Sequence, residues 1–289
     1  MRYSCLHTHT TFCDGLDSVE TCCRAAWEKG FDSIGFSSHA PVGKKTGLVS
    51  DWHLPDGRLA EYLDTVREAR RRWAGRLVVY LGLEIDYIRG LMGPADPDYR
   101  ELGLDYSIGS VHYIFPPGGG EPVTVDGPPE EFAKNLSGRF SGDGEALMEI
   151  YWDTLEGMIA AGGFDILGHA DVVRKNNPGE KWFALTGERY QRRITRAAES
   201  IARSGAVVEV NTGGINRGIL QDPYPSRGFL ELLRKKNVPV TITADAHRAS
   251  HLGGHYDTAR QTLLAAGYRE ILFFEGRKGK RPLWTADPL

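Results

Sequence analysis

The chain has 289 residues, of which 41% are hydrophobic and 25% are charged, and its formal net charge is −3. This composition predicts a globular protein with one large α/β domain or two smaller ones. The nearly balanced charge gives no electrostatic reason to expect nucleic acid or a membrane surface as the main partner, and no run of 18 apolar residues predicts a membrane span. We therefore expect a cytoplasmic protein that binds a small molecule.

Short β-rich runs alternate with amphipathic runs along the chain, which is typical of parallel βαβ construction. The predicted strands are 3–9, 33–39, 77–86, 106–112, 166–169, 207–211 and 240–247, with a weaker eighth at 271–274. The predicted helices are 18–29, 58–73, 145–161, 188–204 and 227–236. Because the composition does not change along the chain, these units favour one closed (β/α) barrel over residues 1–289. An open doubly wound sheet is the alternative.

One long stretch, residues 116–144, lacks a clear period and is rich in glycine and proline. Long irregular segments in compact domains are usually functional lids or mobile loops. We therefore expect this stretch to be a loop insertion over the mouth of the barrel.

Six of the nine histidines lie at the carboxyl ends of predicted strands, where barrel enzymes build their active sites. His7 and His9 are two residues apart on the first strand, so both side chains point to one face. Asp245 and His247 repeat this spacing on the seventh strand. The other candidate residues follow the first strand or end the strands between these two: Asp14, His39, Glu84, His112 and His169.

Such a set of side chains predicts metal binding, because converging imidazoles and carboxylates are poorly solvated without a cation. Imidazole and carboxylate ligands without a thiolate suit zinc, manganese or iron. Nine ligands exceed the needs of one ion, so we expect two or three divalent metal ions. Several cations can neutralise a phosphoryl group and generate hydroxide for in-line attack, which favours hydrolysis of a small phosphate ester.

A dianionic phosphate also requires fork-like donors, which favours arginine. Arg174 and Arg217 follow the fifth and sixth predicted strands, and we expect both to bind the substrate. His53 lies in the loop after the second strand and is a candidate to contact the substrate or to protonate the leaving group.

The ordered motifs resemble those of the polymerase and histidinol phosphatase (PHP) superfamily, and within it the histidinol-phosphate phosphatase branch. The matching residues are His7-Thr-His9 with Asp14, His39, Leu83-Glu84-Ile-Asp86, Gly109-Ser-Val-His112, Gly168-His169, Val208-Glu-Val-Asn-Thr-Gly-Gly214 and Asp245-Ala-His247. The resemblance spans nearly the whole chain. It implies a distorted (β/α)7 barrel with a trinuclear site and hydrolysis of L-histidinol phosphate to L-histidinol and phosphate, a step of histidine biosynthesis, by metal-hydroxide attack.

The resemblance also implies how the ions are held. His7, His9, Glu84 and Asp245 are expected to bind the first ion, and Glu84 is expected to bridge to a second ion on His112 and His169. The third ion is expected on Asp14, His39 and His247. Glu84, Asp245 and His247 are the residues that we expect to act in catalysis.

Other interpretations of the same residues are a PHP-type phosphoesterase that acts on a nucleotide, a nucleic acid or another small ester, and a metal-stabilised scaffold without activity. The amidohydrolase barrels also begin with His-x-His, but they usually place a carbamylated lysine or a glutamate on the fourth strand, which here ends in His112. The sequence leaves the oligomeric state open.

Overall fold

Seven parallel strands form the framework of the fold in the structure, a computed structural model that describes residues 2–289. The strands within this range are β1 (Ser4–Cys5), β2 (Ser33–Phe36), β3 (Val78–Asp86), β4 (Tyr106–Ser110), β5 (Tyr113–Ile114), β6 (Val123–Thr124), β7 (Ile166–Leu167), β8 (Val207–Asn211), β9 (Val240–Thr243), β10 (Glu270–Lys278) and β11 (Arg281–Pro288). The main sheet has the order β1-β2-β3-β4-β7-β8-β9, and neighbouring strands are parallel throughout.

The two ends of this sheet meet just beyond β1 and β9. Thr8 forms an isolated parallel bridge with Ala246. The backbone N–H of His9 donates to the Ala246 carbonyl (2.9 Å), and the Ala246 N–H donates to the His7 carbonyl (3.0 Å). The sheet is therefore a nearly closed barrel, which confirms the predicted (β/α)7 class over the open doubly wound alternative.

Ten α-helices pack around the barrel within residues 2–289, and the bounds of the five that were predicted agree to within one residue at each end. The ten helices are α1 (Val19–Glu28), α2 (Gly43–Thr46), α3 (Leu59–Trp73), α4 (Pro97–Arg100), α5 (Pro129–Arg139), α6 (Gly144–Ala161), α7 (Glu188–Ser204), α8 (Gly213–Asn216), α9 (Arg227–Lys235) and α10 (Tyr256–Ala265). Side-chain caps fix two of the starts, since Ser18 accepts from the Thr21 N–H (3.1 Å) and Asp143 accepts from the Ala146 N–H (2.9 Å). None of these helices is long and apolar enough to cross a membrane; the cytoplasmic location stays a prediction.

The regular ladders are shorter than the predicted strands at the end that carries the candidate ligands. β1 stops at Cys5, β7 at Leu167 and β9 at Thr243, several residues before the predicted ends. Beyond these points the chain keeps only isolated bridges, such as the one between His39 and Glu84. Except for Glu84, which lies within β3, the candidate ligands therefore lie where the backbone leaves the ladder and turns into the loops of the barrel mouth.

The stretch 116–144 is not irregular, contrary to expectation. It contains β6, which pairs with β5, and the eleven-residue helix α5, whose Phe132 and Leu136 are buried. The Asn176 amide donates to the carbonyls of Val125 (3.3 Å) and Gly127 (2.9 Å), which fixes the segment to the barrel. The weak amphipathic pattern of α5 among many glycines and prolines explains why the helix was missed. The assignment of one domain over residues 1–289 stays a prediction.

The weak eighth strand is not part of the barrel. It belongs to β10, which pairs with β11 in an antiparallel hairpin at the amino-terminal end of the barrel strands. Phe274 of this hairpin is fully buried among Tyr80, Tyr106 and Trp284, with ring centroids 4.8, 5.7 and 5.0 Å away. The hairpin therefore forms the floor of the barrel, opposite the candidate site.

We expect Phe274→Ala, in the floor of the barrel, to destabilise the protein strongly. The substitution removes a fully buried ring from a packed cluster, and we expect it to lower the free energy of unfolding by about 3–5 kcal/mol. Denaturant unfolding followed by circular dichroism measures the change. Leu283→Ala on β11 is the matched control, because that side chain is 39% exposed and its loss is expected to cost less than about 1 kcal/mol. Equal effects of the two substitutions would contradict the role assigned to the hairpin.

Candidate metal centre

The structure brings all nine predicted ligands together at the carboxyl ends of the barrel strands. Their donor atoms fall into overlapping groups within which the atoms lie no more than 4.8 Å apart. These groups are His7 with His9 and Asp245, His7 with Glu84 and His169, His9 with Asp14, His39 and His247, and His39 with Asp86 and His112. The group that contains Asp86 adds one carboxylate that was not among the predicted ligands.

Four side chains from β3 and from the two meeting edges of the barrel converge on one point. The Nε2 atoms of His7 and His9 lie 3.2 and 3.5 Å from Oε2 of Glu84. The same two nitrogens lie 3.7 and 3.2 Å from Oδ1 of Asp245. This arrangement brings together the set expected for a first ion, with two imidazole nitrogens and two carboxylate oxygens around one point.

The second oxygen of Glu84 faces a different pair of imidazoles. Its Oε1 lies 2.9 Å from Nε2 of His169 and 3.6 Å from Nε2 of His112. These two nitrogens are 3.2 Å apart. Glu84 thus stands between two ligand sets with one carboxylate oxygen toward each, as a bridging ligand requires.

Asp14, His39 and His247 lie on the more open side of the cluster. Nε2 of His247 is 3.1 Å from Oδ2 of Asp14, and Nε2 of His39 is 3.8 Å from Oδ1 of Asp14. The Asp14 side chain is 31% exposed and that of His247 is 21% exposed, whereas Glu84 is 1% exposed. The set expected for a third ion therefore lies on the side of the cluster that opens to the surface, where all three residues line a cavity.

The donor atoms fit a cation, because five of them are buried and lack a hydrogen-bond partner within residues 2–289. They are Nε2 of His7, Nε2 of His9, Oδ1 of Asp14, Nδ1 of His39 and Oε2 of Glu84. Buried polar atoms without partners are costly unless a ligand satisfies them. The cluster can therefore bind metal, while the role of each residue as a ligand stays a prediction.

The charges of the cluster agree with this interpretation. Burial disfavours a charge on Glu84, yet the imidazoles of His7, His39 and His112 hold the pKa of its carboxyl well below the usual range. Burial and the neighbouring imidazoles of His247 and His39 lower the pKa of His9 to about 3. A buried carboxylate that stays ionised suits a divalent ion.

Glu209, for which the sequence suggested no role, supports the first set from behind. It is fully buried on β8, and its Oε2 accepts from Nδ1–H of His7 (2.8 Å) and from the hydroxyl of Thr243 (2.8 Å). Its Oε1 accepts from the backbone N–H of His169 (2.6 Å). Because Glu209 holds Nδ1 of His7, Nε2 is the ring nitrogen that faces Glu84 and Asp245.

His53 does not line the cavity, contrary to its predicted contact with the substrate. It is 4% exposed, and its Nε2–H donates to Oδ2 of Asp86 (2.8 Å). The other oxygen of Asp86 accepts from Nδ1–H of His112 (2.8 Å). His53 therefore lies behind a candidate ligand and has no free ring nitrogen for a substrate, since Ser50 occupies Nδ1 (2.7 Å).

The two predicted phosphate-binding arginines differ in position. Arg217 lines the cavity, and its Nη2 donates to Oδ2 of Asp245 (3.1 Å). Arg174 is 5% exposed and does not line the cavity; its Nε lies 2.7 Å from Oδ2 of Asp171, and its Nη2 donates to the Pro223 carbonyl (2.8 Å). The guanidinium of Arg174 is committed to internal partners, so the structure does not support the predicted phosphate contact for this residue.

We instead expect Arg174 to stabilise the folded protein. Arg174→Met leaves the fully buried carboxylate of Asp171 without its cationic partner, and we expect a loss of about 3–5 kcal/mol in the free energy of unfolding. Urea unfolding measures this loss, and Arg192→Met, at an exposed arginine of α7, is the control with an expected change near zero. A variant of normal stability with a raised KM for the phosphate ester would restore the original prediction.

The cavity above the cluster has a volume of about 1020 Å³. Its walls come from the loop after β2, which includes Trp52, from Tyr113 of β5 and from the segment that contains Asp126. Lys175 and Arg217 also line it. The candidate metal centre thus forms the base of a pocket that is large enough for a small organic phosphate.

Comparisons with known proteins agree with this geometry. The sequence model of the PHP domain matches residues 6–213. The histidinol-phosphatase of Bacillus subtilis is 26% identical over 263 residues, which cover 87% of this chain and 96% of that protein. A Deinococcus radiodurans protein named as a probable histidinol-phosphatase is 26% identical over 270 residues, which cover 92% of this chain and 95% of that protein.

Two solved structures have the same fold. A candidate histidinol phosphatase from Listeria monocytogenes superposes with a TM-score of 0.78 at 20% identity and covers 88% of this chain and 99% of its own. Histidinol phosphate phosphatase from Lactococcus lactis, solved with zinc, L-histidinol and phosphate, gives a TM-score of 0.65 at 18% identity, covering 96% of this chain and 99% of its own. The family match over more than half of the chain confirms the resemblance noted in the motifs, and this chain belongs to the PHP domain family.

Proposed function

We propose that this chain is a metal-dependent phosphomonoesterase that hydrolyses L-histidinol phosphate to L-histidinol and phosphate. The observation that carries the proposal is the position of Glu84, with one oxygen toward each of two ligand sets at the base of the cavity. The Bacillus subtilis relative, which is matched over nearly its whole length, is a histidinol-phosphatase. The Lactococcus lactis protein of the same fold was solved with L-histidinol and phosphate.

The residues divide into a metal-binding group and a phosphate-binding group. We assign two to three divalent ions of zinc, manganese or iron to the nine ligands, in the three sets described above. When bound, such ions supply a Lewis acid for the phosphoryl group and a nucleophile from water near neutral pH. Glu84, Asp245 and His247, which we assign to catalysis, all line the cavity.

Arg217 is the residue of this chain that we assign to the phosphate. Its guanidinium lies beside Asp245 and 3.3 Å from Nδ1 of His247, so a phosphoryl group held at the ligands is within its reach. Its Nε is buried and has no hydrogen-bond partner among the described residues. A planar guanidinium with a free donor suits a phosphate oxygen.

The test is phosphate release from a panel of monoesters by metal-loaded protein. Histidinol phosphate is expected to exceed glucose 6-phosphate and glycerol phosphate in kcat/KM by at least about a hundredfold. EDTA is expected to abolish release, and added Zn²⁺ or Mn²⁺ is expected to restore it. Equal rates on all esters would reject the substrate but leave the reaction class, whereas full activity after removal of metal would reject the mechanism. Salt-dependent binding of single-stranded DNA would favour a nucleic-acid substrate instead.

A further inference from the structure

The loop that forms one wall of the cavity is joined to a candidate metal ligand through buried side chains. We refer to residues 47–54 as the wall loop; Gly47 to Trp52 of this loop line the cavity. At its carboxyl end the loop turns inward, where the backbone N–H of Leu54 donates to the His39 carbonyl (3.1 Å) and His53 is buried. The wall loop therefore reaches from the substrate side of the cavity to the back of the metal centre.

The hydrogen bonds behind the centre have one consistent direction. Asp86 is buried and accepts only, so Nε2–H of His53 donates to its Oδ2 and Nδ1–H of His112 donates to its Oδ1, each at 2.8 Å. Nδ1 of His53 is then an acceptor for the Ser50 hydroxyl (2.7 Å). The Ser50 oxygen in turn accepts from the backbone N–H of Trp52 (3.3 Å). Both ring nitrogens of His53 and Nδ1 of His112 are therefore hydrogen-bonded along this path. Nε2 of His112 is left to face Glu84.

Stacked rings run parallel to this hydrogen-bonded path. The Trp52 and His53 ring centroids are 3.7 Å apart, and Trp52 stacks on Tyr113 at 5.6 Å with an angle of 14°. Trp52 also meets the His112 ring edge to face at 5.4 Å. Hydrogen bonds and ring contacts therefore connect His112 to the wall loop. A change in the orientation of His112 displaces the loop, and a displacement of the loop changes the orientation of His112.

We propose that His53 is a positioning residue that acts through Asp86 on His112 and couples metal binding at His112 and His169 to order in the wall loop. The coupling is reciprocal, because a loop that stabilises the metal-binding orientation of His112 is itself stabilised when the ion binds. The metal-loaded protein then presents an ordered wall to the substrate. This inference rests on the metal centre assigned under the proposed function but not on the substrate or on turnover.

The first test is the number and affinity of zinc ions in the absence of substrate. His53→Phe keeps a ring of similar size but loses both hydrogen bonds. We expect it to weaken one Zn²⁺ by about 10–100-fold in competition with a chelator and to leave the others unchanged. His53→Gln retains an N–H donor for Asp86 and is expected to bind all ions within tenfold of the native protein. His255→Asn, at an exposed histidine with a φ of 58°, is the control without an expected change.

The second test is hydrogen exchange of the wall loop. In the native protein, Zn²⁺ is expected to slow exchange at the amides of Trp52, His53 and Leu54, and His53→Phe is expected to abolish this response. A variant that loses stability but keeps all ions at native affinity would make His53 a purely structural residue and overturn the proposal. If His53→Phe does not fold, the native protein alone decides, because loop exchange that is unaffected by Zn²⁺ contradicts the coupling.

Discussion

Replacement of Glu84 by glutamine is expected to lower phosphate release from histidinol phosphate by about a thousandfold. Glu84 offers one oxygen to the His7–His9 side and the other to the His112–His169 side, at distances of 2.9 to 3.6 Å. Glutamine keeps the shape but supplies one neutral oxygen and one N–H group, which cannot hold two cations. A thousandfold lower rate corresponds to the loss of about 4 kcal/mol of transition-state stabilisation, since each 1.4 kcal/mol in the activation free energy is tenfold in rate.

The measurement is kcat/KM at saturating Zn²⁺ or Mn²⁺ together with the metal content of the purified variant. At least one ion per chain is expected to be lost, which separates a defect in metal binding from a defect in folding. Glu101→Gln changes the same functional group on the exposed surface and serves as the control. Retention of more than about a tenth of native activity by Glu84→Gln would contradict the bridging position, because bridging carboxylates are not replaceable by amides.

Arg217→Met is expected to reduce kcat/KM by about a hundredfold, mainly through a higher KM. The variant loses the guanidinium beside the cavity, and loss of one partner from a charged pair in a partly buried site typically costs about 2–5 kcal/mol. Asp245 also loses the donor to its Oδ2, although Oδ1 still faces His9. Steady-state kinetics and inhibition by inorganic phosphate both report the effect, and the inhibition constant is expected to rise in parallel with KM.

Two further substitutions define what Arg217 contributes. Arg217→Lys retains the charge without the fork of donors and is expected to recover part of the loss. Arg203→Met removes an exposed arginine far from the cavity and is the matched control. If Arg217→Met shows a native inhibition constant for phosphate and a lowered kcat, Arg217 does not bind the substrate phosphate and instead positions Asp245.

The barrel and the clustering of the candidate ligands could be predicted from the sequence because they depend on short-range patterns. Residues two apart on a strand share a face, so the spacing of His7 and His9 and of Asp245 and His247 was sufficient to place both pairs on one side of the sheet. Parallel strands bring their carboxyl ends to one edge, which joins His112 and His169 to the same cluster. The helices α1, α3, α6, α7 and α9 were predictable for a similar reason, since each has a continuous apolar face.

The supporting residues could not be predicted, because their roles depend on which atoms meet across the fold. Asp86 and Glu209 stand in motifs that carry the family resemblance, but only their contacts with His112 and His7 show what they do in the site. Arg174 and His53 follow strands as phosphate-binding residues do, but each is turned inward onto a carboxylate. The spacing from a strand end gives the approximate position of a residue and not the direction of its side chain.

The closure of the barrel between Thr8 and Ala246 also determines the order in which the metal centre can be assembled during synthesis. His7 and His9 are synthesised before Asp245 and His247, which follow them by more than two hundred residues. A nascent chain that lacks residues 240–247 has neither the last barrel strand nor Asp245, the fourth side chain of the first set. The candidate metal centre is therefore completed only by the long-range contact that closes the ring.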